Sequence, residues 1–215
     1  MAVVHHTTLK PTKPELLAGW LPTRPWYRGG PAPEPVTVGG FRLDDPAGEV
    51  GIEFIVLTED SGPEPALHLV PLTYRGAPLD GAAGDALVGT LEHGVLGKRW
   101  VYDGCHDPVL VSRLLALVEG RAEAQDQNTT GTPDRDISRE YTGTVALPGA
   151  AVRVTDDASG TVIALGPDLA LHLHRNPREP LPGGVIGRVE GSWRSRPDGS
   201  RERGVFATIR RGGAS

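Results

Sequence analysis

Hydrophobic and polar positions change in short runs along this chain, which predicts strands joined by turns. Val50–Thr58 and Ala66–Tyr74 are rich in β-branched and aliphatic residues, and Glu59–Pro63 between them has the composition of a hairpin connection. Both faces of the first strand are apolar, so we expect cover on both sides, most simply by a helix on one. Leu87–His93 and Lys98–Tyr102 predict a second, shorter hairpin.

Capping signals indicate two helices. Thr12–Glu15 has the pattern of a capping box, and apolar residues up to Trp20 follow it with helical spacing. The clearest helix is Asp107–Glu119, because its first residue is a good N-cap and Pro108 fits the first helical position. Gly120 suits the left-handed residue after the helix end. The apolar face of this helix predicts packing against the sheet.

Residues 122–138 differ in composition from the rest, because Asp, Gln, Asn, Thr, Gly and Pro dominate them. We predict a flexible, exposed linker there, between one domain over residues 1–121 and a β-rich domain over 139–215. The strands expected in the second domain are Glu140–Leu147, Val152–Thr155, Thr161–Leu165, Leu169–His174, Val185–Trp193 and Val205–Ile209. The predicted fold class is therefore α+β with mostly antiparallel strands.

Composition and charge narrow the classes of function. The 29 glycines and 20 prolines among 215 residues predict many turns, and the formal net charge of −5 argues against a nucleic-acid partner. The single cysteine, Cys105, cannot form an internal disulfide, which favours a reducing compartment. The sequence shows neither a secretory leader pattern nor an apolar run of membrane-spanning length. We therefore expect a cytoplasmic protein without a membrane partner.

The segment Leu21–Gly29, LPTRPWYRG, resembles the LP-x-x-RWY-x-G segment of maltokinase N-terminal cap domains. Leu69–Leu72 and Arg99–Asp103, followed by the helix that starts at Asp107, fit the same resemblance over residues 1–121. Maltokinases are bacterial enzymes that phosphorylate maltose with ATP. The resemblance implies a bacterial protein of maltose, trehalose or α-glucan metabolism, with a cystatin-like cap in which a helix packs on a curved antiparallel sheet.

Residues 166–175, GPDLALHLHR, are similar to the strand that carries the ATP-binding lysine in the kinase N-lobe, which reads roughly G-D-x-L-I-L-K-x-F-R-R in the family. His172 stands at the lysine position and His174 at the aromatic position. A kinase of this family also needs a second lobe with a catalytic aspartate near a His-Gly-Asp motif and another aspartate for Mg²⁺, and this sequence shows neither. The resemblance therefore implies a pseudokinase fragment without enzymatic activity, in which His172 and His174 mark a degenerate nucleotide face.

The same two histidines form an H-x-H pattern on one strand face, which can supply two metal ligands. Further ligands would have to come from His5, His6, His68, His93, Cys105 and His106. We favour the simpler interpretation that the two histidines replace kinase residues and that the chain binds no metal or other cofactor. Cys105 beside His106 is not expected to be catalytic, since adjacent side chains rarely face each other.

Four aromatic residues are candidates for a partner or ligand surface: Trp20, Trp26, Tyr27 and Trp100. Their rings can stack on a sugar, but packing in a core or a protein contact is more common, and we favour packing.

The leading hypothesis is a non-catalytic accessory or regulatory protein that docks on a kinase lobe or a glucan-metabolising enzyme. One alternative is a module that binds a sugar or sugar phosphate. Another is a metal-dependent enzyme built on His172 and His174. The partner, the oligomeric state and the supply of a catalytic lobe by another chain stay open at this point.

Overall fold

The computed structural model describes residues 8–62, 64–81, 84–143, 148, 153–181, 183–194 and 199–211. Within them the chain forms two α-helices, α1 (Lys13–Trp20) and α2 (Pro108–Glu119), and two antiparallel sheets. This architecture confirms the predicted α+β fold class. No helix among these residues is long and apolar enough to cross a membrane.

The first sheet is built from β1 (Leu9–Lys10), β2 (Val36–Leu43), β3 (Gly51–Glu59), β4 (Ala66–Arg75), β5 (Leu87–His93), β6 (Gly97–Asp103) and β7 (Gln125–Asp126). The spatial order of its strands is β1-β5-β6-β4-β3-β2-β7. The apolar runs in the sequence predicted β3 to β6. The strand β2 was not predicted, because Gly39 and Gly40 interrupt its alternation and a bulge follows Thr37.

The second sheet contains β8 (Ser138–Tyr141), β9 (Arg153–Asp157), β10 (Gly160–Ala164), β11 (Leu169–Leu173), β12 (Val185–Arg194) and β13 (Arg201–Arg211). Its order is β8-β12-β13-β11-β10-β9, and neighbouring strands are antiparallel. Parts of the predicted strands at 144–147 and 152 lie outside the described residues, as do His5 and His6.

The caps of both helices are those that the sequence predicts. The Thr12 hydroxyl accepts a hydrogen bond from the Glu15 amide at 3.4 Å, and the Glu15 carboxylate accepts one from the Thr12 amide at 2.7 Å. At α2 the Asp107 carboxylate accepts from the Val109 amide at 2.9 Å. Gly120 ends α2 in the left-handed region, with φ 77° and ψ 18°. Both capping predictions are confirmed.

The strand β3 is covered on both faces, as its apolar pattern predicts. Phe54 and Val56 belong to the larger hydrophobic core, to which α2 and the second sheet contribute. Ile55 and Leu57 belong to a smaller core beneath α1. The helix α2 contacts β2 of the first sheet and β8 and β12 of the second, so it is enclosed by both sheets.

The larger core is continuous between the two sheets. The Phe41 ring of β2 stacks on Phe54 with centroids 4.4 Å apart, and its centroid lies 6.1 Å from that of Phe206 on β13. A Cβ atom at Gly39 would lie 3.0 Å from Trp193 Cβ, so this glycine allows β12 to approach β2 closely. The two halves of the chain therefore share one apolar interior, and the division into two domains stays a prediction.

The segment over residues 122–138 is attached to the first sheet instead of being exposed throughout. Ala124 is 3% exposed, β7 pairs with β2, and the Gln127 side-chain amide donates to the Glu53 carboxylate at 3.0 Å. Residues 128–133 are exposed. Backbone pairing can hold a polar segment without any apolar periodicity, which is why composition alone indicated an exposed linker.

Candidate functional site

A pocket of about 360 Å³ lies between the two halves of the chain, and we call it the junction pocket. The residues that matter for its chemistry are Trp26, Arg28, His68, Ala158, Arg175 and Glu179. Its volume falls within the range of small-molecule sites, about 300–1,000 Å³.

Local structure on both sides places the side chains of this pocket. A 3-10 turn at Leu21–Thr23, with Pro22 in its first turn, continues α1 and leads into Trp26. His68 lies on β4, and the neighbouring Leu69 amide donates to the Arg175 carbonyl at 2.7 Å. The end of β11 is therefore tied directly to the middle of β4.

Arg175 is the central charged residue at this junction, and it is 2% exposed. Its Nε atom donates to the Thr161 hydroxyl at 2.8 Å, and its Nη2 atom donates to the Asp103 carboxylate and lies 3.9 Å from Asp156. Its guanidinium carbon lies 4.3 Å from the centre of the Trp26 ring. Burial opposes the charge of Arg175, but the nearby acids raise its pKa above the usual value, so it remains a cation.

Asp103, His106 and Asp156 bring three possible metal-ligand atoms within 4.8 Å of one another. The guanidinium of Arg175 already bonds to Asp103 and lies close to Asp156, so a positive charge is built into this group. His106 Nε2 is 3.8 Å from the Asp156 carboxylate. A metal ion here would compete with Arg175 for the same carboxylates.

Cys105 lies beside this charged group. Its Sγ atom is 3.6 Å from Arg175 Nη2. Burial raises the pKa of the Cys105 thiol well above its usual range, so the reactive thiolate is disfavoured.

His172 and His174 lie together on β11, with ring centroids 4.6 Å apart. His174 is 2% exposed, its Nε2 atom is 3.0 Å from the Thr208 hydroxyl, and burial lowers its pKa to about 4. Among the described residues, the cluster with metal-ligand spacing contains neither histidine. The other proposed ligands lie elsewhere, with His68 at the junction pocket and His93 on β5. The nucleotide-face interpretation of the pair stays a prediction.

The structure brings three of the four predicted aromatic site residues together beside the junction pocket. Trp20 and Trp26 are buried and pack edge to face, with centroids 5.6 Å apart. The Tyr27 ring lies 5.2 Å from His68, and its hydroxyl donates to the Gly30 carbonyl at 2.9 Å. Trp100 lies apart from them on β6, opposite Arg75 at the far end of β4.

Sequence reasoning missed the central residues of this junction. Arg175 and Asp103 form their ion pair across 72 positions. Both residues end segments that carry the family resemblance, but nothing in those segments indicates that the two side chains pair. His68 was noted only as a possible metal ligand. A long-range pair of this kind leaves no signal in a single sequence.

A second cleft, of about 770 Å³, lies on the first sheet and contains Glu53. The Glu53 carboxylate accepts from Lys13 Nζ at 2.6 Å, the Tyr74 hydroxyl at 2.8 Å and the Gln127 amide at 3.0 Å. The pKa of Glu53 lies below its usual value. Burial alone would raise this pKa, but the Lys13 ammonium and the three hydrogen bonds stabilise the carboxylate more strongly. This carboxylate is fully occupied by its neighbours and acts as a structural link.

These features define an α+β protein in which a helix-bearing antiparallel sheet packs on a smaller antiparallel sheet. Residues 20–107 match the family model of the maltokinase N-terminal cap domain. The match includes the LPTRPWYRG segment and confirms the resemblance of this region to maltokinase N-terminal cap domains. No curated protein sequence matches the chain. The kinase N-lobe interpretation of residues 139–215 stays a prediction, since the match ends at Asp107.

Proposed function

We propose that this chain is a non-catalytic accessory or regulatory protein in maltose, trehalose or α-glucan metabolism. The observation that carries the proposal is the match of residues 20–107 to a domain that belongs to a sugar kinase. Phosphoryl transfer needs a cationic side chain and metal-binding acids at the phosphates. His172 stands at the lysine position of the resemblance, and burial lowers its pKa, so its ring is neutral at pH 7. The Asp103 carboxylate forms an ion pair with the Arg175 guanidinium.

The proposed mode of action is docking on a kinase lobe or a glucan-metabolising enzyme. Exposed apolar side chains support a contact at the turn between β5 and β6, where Val95 is 62% and Leu96 is 46% exposed. Large exposed apolar residues grouped on one turn are suited to a protein contact.

Affinity capture with the purified full chain, followed by mass spectrometry, tests the docking mode. We expect recovery of a kinase lobe or a glucan-modifying enzyme, and loss of that partner with the double variant Val95→Ser and Leu96→Ser. Val36→Ser is the matched control, because Val36 is 59% exposed elsewhere on the surface. Phosphorylation of maltose, trehalose or glucose by the purified chain with ATP would refute the non-catalytic proposal.

A second candidate function is a module that binds a sugar or a sugar phosphate. The observation that favours it is the junction pocket, because its volume of about 360 Å³ lies in the range of small-molecule sites and its lining combines the aromatic Trp26 with the charged Arg28 and Glu179. Titration calorimetry with maltose, maltose 1-phosphate and ATP tests this function. The third hypothesis, a metal-dependent enzyme using His172 and His174, is tested by metal analysis of protein purified without a tag.

A further inference from the structure

Four cationic side chains line the second cleft, and the protein pairs two of them with acids. The four are Lys13, Arg42, Arg75 and Arg99. Lys13 Nζ lies 2.6 Å from the Glu53 carboxylate. Arg75 Nε lies 2.6 Å from the Asp107 carboxylate. Both acids are buried, so the charges of these two pairs are satisfied within the protein.

The other two, Arg42 and Arg99, are half-buried and form no ion pair with any described residue. Arg42 Nε donates to the Asp126 carbonyl at 3.3 Å, and Arg99 Nη2 donates to the Leu96 carbonyl at 2.7 Å. The Asn128 amide lowers the pKa of the Asp126 carboxyl most, and the charge of Arg42 adds a smaller effect. A partly desolvated guanidinium without a carboxylate partner favours binding of an anion.

The acids that line the cleft offer little to cancel these two charges. The Asp45 carboxylate is buried and accepts from the backbone amides of Ala47 and Val50. The Glu53 carboxylate is buried and occupied by the hydrogen bonds described above. Glu49 is the exposed acid of the lining. The positive excess is local, since the whole chain has a formal net charge of −5.

The two arginines lie on one face of the first sheet, on strands that are well separated. Arg42 pairs with Glu53 across β2 and β3, and Arg99 is two residues before Val101, which pairs with Tyr74. The order β6-β4-β3-β2 places three strand spacings, about 14 Å, between the backbones of β6 and β2. Four residues of an extended polypeptide span about 13 Å. An extended chain with two acids about four positions apart therefore fits this spacing.

One end of the cleft is continuous with the exposed apolar turn between β5 and β6. Leu96 belongs both to that turn and to the lining of the cleft, and Val95 precedes it. Leu9 and Pro78 also line the cleft. A segment that combines acidic and aliphatic side chains is complementary to this surface.

We propose that the second cleft binds an extended acidic segment of a partner protein, with carboxylates directed to Arg42 and Arg99 and an aliphatic side chain against Leu96. Arginine binds carboxylates with charge-assisted hydrogen bonds, and groups of arginines recognise acidic peptide motifs. This inference rests on the docking function proposed above and adds the chemistry of the partner.

The test is selection of a random dodecapeptide library on the purified full chain, followed by fluorescence anisotropy with the selected peptides. We expect enrichment of peptides with two acidic residues about four positions apart and an aliphatic residue beside them. Added salt should weaken their binding, as should replacement of their acids by amides. Selected peptides without acidic residues, or binding that the amides leave unchanged, would overturn the inference.

Arg99→Gln removes one of the two unpaired charges, and we expect it to weaken the acidic peptides about tenfold, the effect of a lost charge-assisted hydrogen bond. Lys98→Gln is the matched control. It removes the same charge at the neighbouring position, but Lys98 does not line the cleft and lies over the Trp100 ring. Equal weakening by both variants would contradict binding at the cleft.

A second pair of variants keeps the test valid if Arg99→Gln folds poorly. Ala77 is exposed at the cleft, so either charge can be introduced there without changing the unfolding midpoint. Ala77→Glu should weaken the acidic peptides about threefold, and Ala77→Lys should strengthen them by a similar factor. Effects of the same sign, or no effect, would count against the cleft as their binding site.

The capture experiment described above separates this inference from the docking function. A partner that the wild type and both Ala77 variants recover equally would overturn the inference and leave docking standing. Inorganic tripolyphosphate that binds when no peptide is selected would replace the inference with a site for small anions. Absence of any captured partner and of any selected peptide would overturn both.

Discussion

Single charged side chains link segments of this chain that are far apart in sequence. Glu53 on β3 connects α1, β4 and the segment after β7, because its carboxylate accepts from Lys13, Tyr74 and Gln127. In the sequence Glu53 is a lone acid in an apolar strand, with no paired residue at a recognisable spacing. Its role was therefore not predictable, since the partners are brought together only by the folded sheet.

We predict that Glu53→Gln lowers the free energy of unfolding by about 2 kcal/mol at pH 7, because the amide cannot replace a carboxylate paired with an ammonium group. The folded-state pKa of Glu53 lies below the ordinary value of 4.5. The difference between wild type and variant is therefore complete above that value and shrinks as the pH falls through the folded-state pKa. Urea denaturation at a series of pH values measures this difference.

The control for this prediction is Glu49→Gln, at an exposed position beside the same cleft. We expect it to change stability by less than about 0.5 kcal/mol. A Glu53→Gln effect that stays constant into the acid range would show that the carboxylate charge does not contribute.

At the scale of secondary structure, the helices follow signals that lie within a few residues of their ends. The capping box before α1 and the N-cap before α2 were both predicted, and both are present. Two glycines at these helices differ in backbone conformation and in the space around them. Gly120 has φ 77°, and a Cβ atom there would contact the Arg139 guanidinium, whereas Gly19 inside α1 has no atom within 4 Å of an added Cβ.

We predict opposite effects for the same substitution at these two glycines. Gly120→Ala should lower the free energy of unfolding by about 1 kcal/mol, because alanine is strained in the left-handed region. Gly19→Ala should raise it by up to about 1 kcal/mol, because alanine has the higher helix propensity and the space is free. Thermal and urea denaturation measure both changes. Effects of the same sign would contradict the assigned backbone conformations.

At the scale of the whole molecule, the two sheets are joined by a common core. The rings of Phe41, Phe54 and Phe206 meet there, and they come from β2, β3 and β13. The apolar pattern predicted that β3 is covered on both faces. It did not reveal that the second sheet supplies part of that cover, because a strand pattern shows which face is buried and not which element buries it.

We predict that the protein unfolds in one cooperative transition. Phe206→Leu should lower the free energy of unfolding by about 1.5 kcal/mol, because the substitution leaves a cavity in the shared core. Hydrogen exchange should show reduced protection in β3 and in β12 alike. Val36→Ala, at an exposed position, is the control and should leave both unchanged. Two separate transitions, with only the second sheet affected, would instead support independent domains on either side of residues 122–138.

The sequence by itself determined the local structure of the chain and the resemblance of its first half to maltokinase N-terminal cap domains. Neighbouring residues encode the caps of α1 and α2, the strands β3 to β6 and the LPTRPWYRG segment. Capping and hydrophobic periodicity act over only a few residues, so a local stretch of sequence is enough to predict them. Only the tertiary structure decided the junction pocket and the Arg175–Asp103 pair, whose members are 72 positions apart. The physical reason is that side chains on β4, after β11 and after α1 meet only when the two sheets pack against each other.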